Sequence, residues 1–143
     1  LPSGSSRYKS SLALTIPSTI SYGSLALGTN TTSANNTSQN IAQSGNDVAD
    51  VEVSMTGTAL QCEMLGHLSG TIPRANLIWS LTDVDYNGTG VSALSATPTD
   101  TNLNVGYRHG ANPTKDLFWN IMIPATGLSG VCSGAVTIST IAA

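Results

Sequence analysis

The sequence predicts an all-β fold: a single antiparallel β-sandwich of about 7 to 9 strands, immunoglobulin-like or jelly-roll-like, carried behind a flexible N-terminal extension. Three observations lead there. Apolar and polar residues alternate in runs of strand length, the period that sets one face of a strand on a core and the other in water. Gly, Asn and Pro separate those runs at roughly regular spacing. Charge is scarce as well: 13 of 143 residues are Lys, Arg, Asp or Glu, against 19 Ser, 18 Thr and 11 Asn. Two Glu and two Lys cannot supply the solvent face of long amphipathic helices, which excludes an all-α architecture. A hydrophobic content of 40% is enough to bury a core, which excludes a disordered chain.

Taken in order, Leu12, Leu14 and Ile16 alternate with Ser11, Ala13 and Thr15 until Pro17 ends the run. Short pieces follow at Ile20 and Tyr22 and at Leu25 and Leu27, punctuated by Gly23 and Gly28. Residues 30–38 form a polar, exposed loop of Asn, Thr and Ser, and Gly45-Asn46-Asp47 is a turn signal. Val51, Val53 and Met55 then alternate with Glu52, Ser54 and Thr56, the pattern of a half-buried strand. Leu60 to Leu68 is the one candidate for a helical turn. Leu77, Trp79 and Leu81 share one face, and Asn87-Gly88 is a β-turn leading into a strand at Val91. Leu103, Val105 and Tyr107 face away from Asn102 and Asn104. Residues 117–123 are apolar on both faces, as a covered central strand is, and Val136 and Ile138 close the series.

The first strand divides the chain into residues 1–17, an N-terminal extension, and residues 18–143, the sandwich. Buried, Leu12, Leu14 and Ile16 would contribute roughly 5 to 9 kcal/mol, so the stripe requires an apolar partner. Pro17-Ser18 offers no tight hairpin turn. Two readings stay open: the strand is the edge of its own sandwich, or it is donated to a neighbouring subunit, which turns a sandwich into a fibre.

Cys62 and Cys132 are an even pair in a chain of extracellular composition, and a disulfide between them would close a loop of about 70 residues, adding on the order of 4 kcal/mol. The polar start Leu1-Pro2-Ser3-Gly4-Ser5-Ser6 suits a mature terminus left by signal removal. Asn30, Asn35, Asn36 and Asn87 each open an N-x-S/T sequon, whereas Asn112 is blocked by Pro113. No stretch approaches the about 18 to 20 apolar residues of a membrane-spanning helix. A net charge of −3 without a basic cluster argues against nucleic acid as a partner.

Catalytic patterns are weak. His67 and His109 have no context that fits a nucleophile arrangement, and Gly130-Val131-Cys132-Ser133-Gly134 has the outline of a nucleophile elbow without the helix it needs. No cofactor is expected, with one possible exception, a structural Ca²⁺. Asp83-Val84-Asp85-Tyr86-Asn87-Gly88 matches the opening of a calcium loop through Asp83, Asp85 and Asn87, but Leu94 stands where the bidentate glutamate belongs. The alternative is a plain turn at Asn87-Gly88.

Several segments carry a family resemblance: residues 21–30, Ser44-Gly45-Asn46, residues 51–57, Phe118-Trp119 through Ile123-Pro124, and residues 133–137. In strand pattern and glycine placement they resemble secreted β-sandwich surface proteins of prokaryotes, among them TasA-like biofilm subunits and archaeal bundling pili. The resemblance implies a strand donated between subunits. Trp79-Ser80-Leu81-Thr82-Asp83 also looks like the signature of WxL cell-wall-binding domains. The expectation is therefore a non-enzymatic extracellular subunit, a pilus or filament protein. It would polymerise with identical copies through Leu12, Leu14 and Ile16. The alternative is a monomeric adhesin or cell-wall or carbohydrate-binding module, in which Trp79, Tyr86 or Trp119 would be exposed to surface glycans.

Overall fold

A computed structural model describes residues 14–15, 22, 24–45, 48–106, 110 and 113–142. Leu12, Ile16, Tyr107 and His109, and the Asn46-Asp47 part of the first turn signal, lie outside the described residues.

Among the described residues eleven strands follow one another: β1 (Leu14–Thr15), β2 (Thr37–Gln43), β3 (Ala49–Ser54), β4 (Ala59–Met64), β5 (His67–Pro73), β6 (Leu77–Ser80), β7 (Ser92–Ala93), β8 (Thr99–Asp100), β9 (Thr114–Ile121), β10 (Val131–Ser133) and β11 (Thr137–Ala142). Every pairing is antiparallel. Five strands form one sheet in the order β1-β2-β9-β6-β7, and two sheets of three run β10-β4-β5 and β11-β3-β8. Among the described residues the one helical element is a single 3-10 turn, Arg74–Asn76, between β5 and β6. The predicted all-β class holds, with more and shorter strands than expected.

Side chains from all three sheets meet in one core. Ile41, Leu77, Trp79, Leu117, Trp119 and Ile121 come from the five-stranded sheet, Val51 and Val53 from β3, and Cys62 and Ile72 from the β4–β5 pair. The expected central strand is β9, held between β2 and β6. Trp79 and Trp119 face each other across β6 and β9 and are both buried, so their bulk fills the core.

Four expectations need correction. Thr37 and Ser38, read as part of a polar loop, begin β2, whose buried side chains are Gln39, Ile41 and Gln43; a pattern test for apolar residues misses a strand whose inner face is largely amide. Leu60 to Leu68 is no helical turn but the tip of the β4–β5 hairpin, turned at Leu65-Gly66 with φ of 52° and 79°. Leu103 and Val105 are buried as expected, yet Asn102 and Asn104 take φ of 57° and 51°, which prevents a regular strand there. Leu81 falls beyond the end of β6 and is largely exposed. The turn ahead of β7 lies one residue earlier than predicted: Gly88 N donates to Asp85 O at 2.8 Å, which centres it on Tyr86-Asn87, neither Asn87 nor Gly88 takes a positive φ, and β6 and β7 pair on either side of it.

Candidate functional site

The N-terminal strand sits at the edge of the five-stranded sheet. Leu14 is opposite Gln43 and Thr15 opposite Ala42 of the same chain. No hairpin makes this junction; residues 16–36 intervene between the two strands. The strand that receives β1 is anchored from behind by polar contacts. Trp119 Nε1 donates to Gln39 Oε1 at 2.8 Å, Gly45 N donates to Gln43 Oε1 at 2.8 Å, and Asn40 Nδ2 donates to Asp116 Oδ1 at 2.8 Å. The first and third of these bonds hold β2 on β9, and the second closes the end of β2 on itself.

Cys62 and Cys132 are bonded, opposite each other in the register of β4 and β10. The bond holds a sheet that owes little to apolar packing. Ser69 Oγ donates to Ser129 O, and a methyl on Gly70, at φ +144°, would overlap the Gly127 carbonyl and Leu128. The loop at 127–130 therefore lies directly on β5.

The loop that resembles a calcium site spends its carboxylates on the chain itself. Asp83 Oδ1 accepts from Asn36 Nδ2 at 2.8 Å and Asp85 Oδ1 from the Ser33 N–H at 2.7 Å, while Asn87 is exposed. Tyr86 N donates to Thr31 O at 3.1 Å, and Asn120 Nδ2 donates to Val84 O at 2.9 Å. Two polar loops are thereby tied together and to β9. Among the described residues no group of three His, Cys, Asp or Glu is arranged to hold a metal ion.

The four sequons differ in the same light. Asn30, Asn35 and Asn87 are exposed. Asn36 is half-buried, and its amide nitrogen, the atom a glycan would take, is engaged with Asp83 and Val84. Asn35 uses only its Oδ1, accepting from Thr32 N at 2.7 Å.

His67 is exposed at the start of β5, two residues past the Leu65 tip. With Trp79 and Trp119 in the core and Tyr86 half-buried, the two tryptophans do not form an exposed aromatic platform for sugars. Burial of the Tyr86 side chain raises its phenol above the ordinary value.

Sequence reasoning missed two features. Asp50 on β3 is 2% exposed and hydrogen-bonds the side chain of Asp100, whose register partner is Glu52, two residues further along β3. Burial first, and the bond to Asp100 second, raise the Asp50 carboxyl above the usual carboxylate range, against the opposing pull of the Val51 and Asn104 N–H groups. The same bond lowers Asp100. The signal was hidden because it depends on which strands pair. The second is a cavity of about 390 Å³ lined by Leu81, Asn102, Leu103, Lys115, Asp116 and Phe118, built where the end of β6, the 102–103 segment and the start of β9 converge.

No family model, curated protein or solved structure matches the chain.

Proposed function

We propose that the chain is a non-catalytic extracellular subunit that polymerises by exchanging its N-terminal strand with identical copies. One observation carries this reading: β1 is an edge strand laid on β2 at Ala42 and Gln43 without a hairpin linking the two. A strand of that kind can be taken from a neighbour at the same register with its hydrogen bonds preserved, since an exchanged element keeps its contacts and changes only its owner. Low charge fits the same role, because flanks that pack on copies of themselves bury few ions, while Ser, Thr and Asn can hydrogen-bond across the contact. The Cys62–Cys132 bond suits an oxidising compartment.

Negative-stain microscopy and sedimentation of the full chain, beside a variant lacking residues 1–16, test it. The full chain is expected to form filaments, and the truncated one to stay monomeric with its β circular-dichroism signature intact. Filaments in the truncated protein, or a full chain that is monomeric at every concentration, would overturn the proposal.

A further inference from the structure

The β4–β5 hairpin ends in an apolar tip that none of the described residues covers. Leu65 is 94% exposed, Val131 78%, Leu68 62% and Met64 48%. Val131 and Leu68 flank Glu63 in register on its two sides, so all three side chains emerge on one face of the small sheet. Leu65 also has an unusual backbone. It occupies the first position of a two-residue turn with φ of 52°, where Asn, Asp or Gly adopt a positive φ with little strain and leucine does not. Within one copy neither the conformation nor the exposure of Leu65 is repaid by any contact.

The cavity beside Phe118 has complementary properties. Its walls offer Leu81, Leu103 and Phe118, and at about 390 Å³ it lies near the lower end of the range, about 300 to 1,000 Å³, that accepts small organic groups. It is rimmed by one charge of each sign, Lys115 and Asp116. The hairpin carries Glu63 and His67 on either side of its tip. Lys115 and Glu63 form no ion pair within the chain among the described residues. Charged residues are only 9% of this sequence, and Glu63 beside the exposed tip and Lys115 beside the cavity are of opposite sign.

We infer that the occupant of the cavity is the hairpin tip of a second copy of this chain, Leu65 entering between Leu81 and Phe118 with Glu63 against Lys115. The donor and the receiving surface belong to different sheets, so each copy that gives its tip keeps its own cavity open. Such a contact joins copies head to tail and propagates. The inference rests on the chain being a self-assembling subunit and adds a second contact to the exchanged strand.

Sedimentation velocity of the full chain over a concentration series tests it. Leu65→Asn suits the turn, so the fold is expected to be at least as heat-stable while self-association weakens about tenfold or more. Glu63→Lys and Lys115→Glu should each weaken association, and the double variant, which restores the opposed signs, should recover it. Association of Leu65→Asn at wild-type strength, or a double swap no better than its single parents, overturns the hairpin contact and leaves strand exchange standing. A wild-type chain that never associates overturns both. Binding of the wild type, but not Leu65→Asn, to phosphatidylcholine vesicles without self-association would assign the tip to a lipid surface and overturn the inference.

Discussion

The five-stranded sheet and the β10-β4-β5 sheet are stabilised by different means. In the first, all four residues of β6 are buried, and β9 buries Leu117, Trp119, Asn120 and Ile121 in its second half. In the second, β4 buries only Cys62, β5 only Ile72, and β10 nothing fully. Packing on both faces holds the large sheet in place, whereas the small one relies on a covalent bond, a loop seated on Gly70 and a bond from Ser69 to Ser129. The lesson is that exposed apolar residues at Met64, Leu65, Leu68 and Val131 are affordable where the core contributes little, because the disulfide maintains the hairpin without their help.

The strongest way to break this contrast is to remove packing from the large sheet. Trp119→Ala is expected to cost about 3 to 5 kcal/mol, since it opens a cavity at the centre of the core and leaves Gln39 Oε1 without its indole donor. Urea denaturation measures it. A loss below about 1 kcal/mol would mean that the core is not where the stability lies.

Replacing both cysteines with serine, or adding a reductant, is the matching change in the small sheet. The expected cost is about 2 to 4 kcal/mol, with the loss concentrated locally. Amide exchange should quicken first in β4, β5 and β10 while β6 and β9 keep their protection. Uniform acceleration across both sheets would remove the distinction between them.

How much of this was legible follows from the same physics. Val51, Val53 and Met55, and Leu117 to Ile123, announce themselves because apolar side chains at period two or in a continuous run have one economical fate. The cysteine pair was readable from parity and composition, and a turn near Asn87 from its residues, though it centres on Tyr86-Asn87. β2 was not, because Gln39 and Gln43 are buried by virtue of partners such as the Trp119 indole and the Gly45 N–H, which sequence order does not reveal. Leu65 defeats turn rules because leucine occupies a position favouring asparagine. The carboxylates at Asp83 and Asp85 looked like ligands since a ligand loop and a loop that caps its neighbours use the same oxygen-bearing residues. Sequence order does not reveal that one oxygen of each is engaged by Asn36 and Ser33.

The smallest expected effect lies with Asp50, a titratable group surrounded by packed residues, and it sharpens the contrast because burial is what makes it respond to pH. Its carboxyl is raised in the fold, so the unfolded chain releases that proton at lower pH than the folded one does. The stability it contributes is therefore complete below the ordinary carboxylate value, about 3.9, and is lost as pH rises through the raised value. Asp100 is lowered, so its contribution is complete above the ordinary value and is lost as pH falls through the lowered one. The pair is most favourable between the two, with one proton shared, and least so when both groups are ionised side by side. Asp50→Asn keeps an oxygen for the Val51 N–H, bonded at 2.8 Å, and supplies an amide hydrogen to Asp100 at every pH. The difference in melting temperature between wild type and Asp50→Asn should thus favour the wild type most near pH 4. By pH 7 to 8 it should shrink or reverse. A difference that does not vary with pH would show that Asp50 and Asp100 do not share a proton.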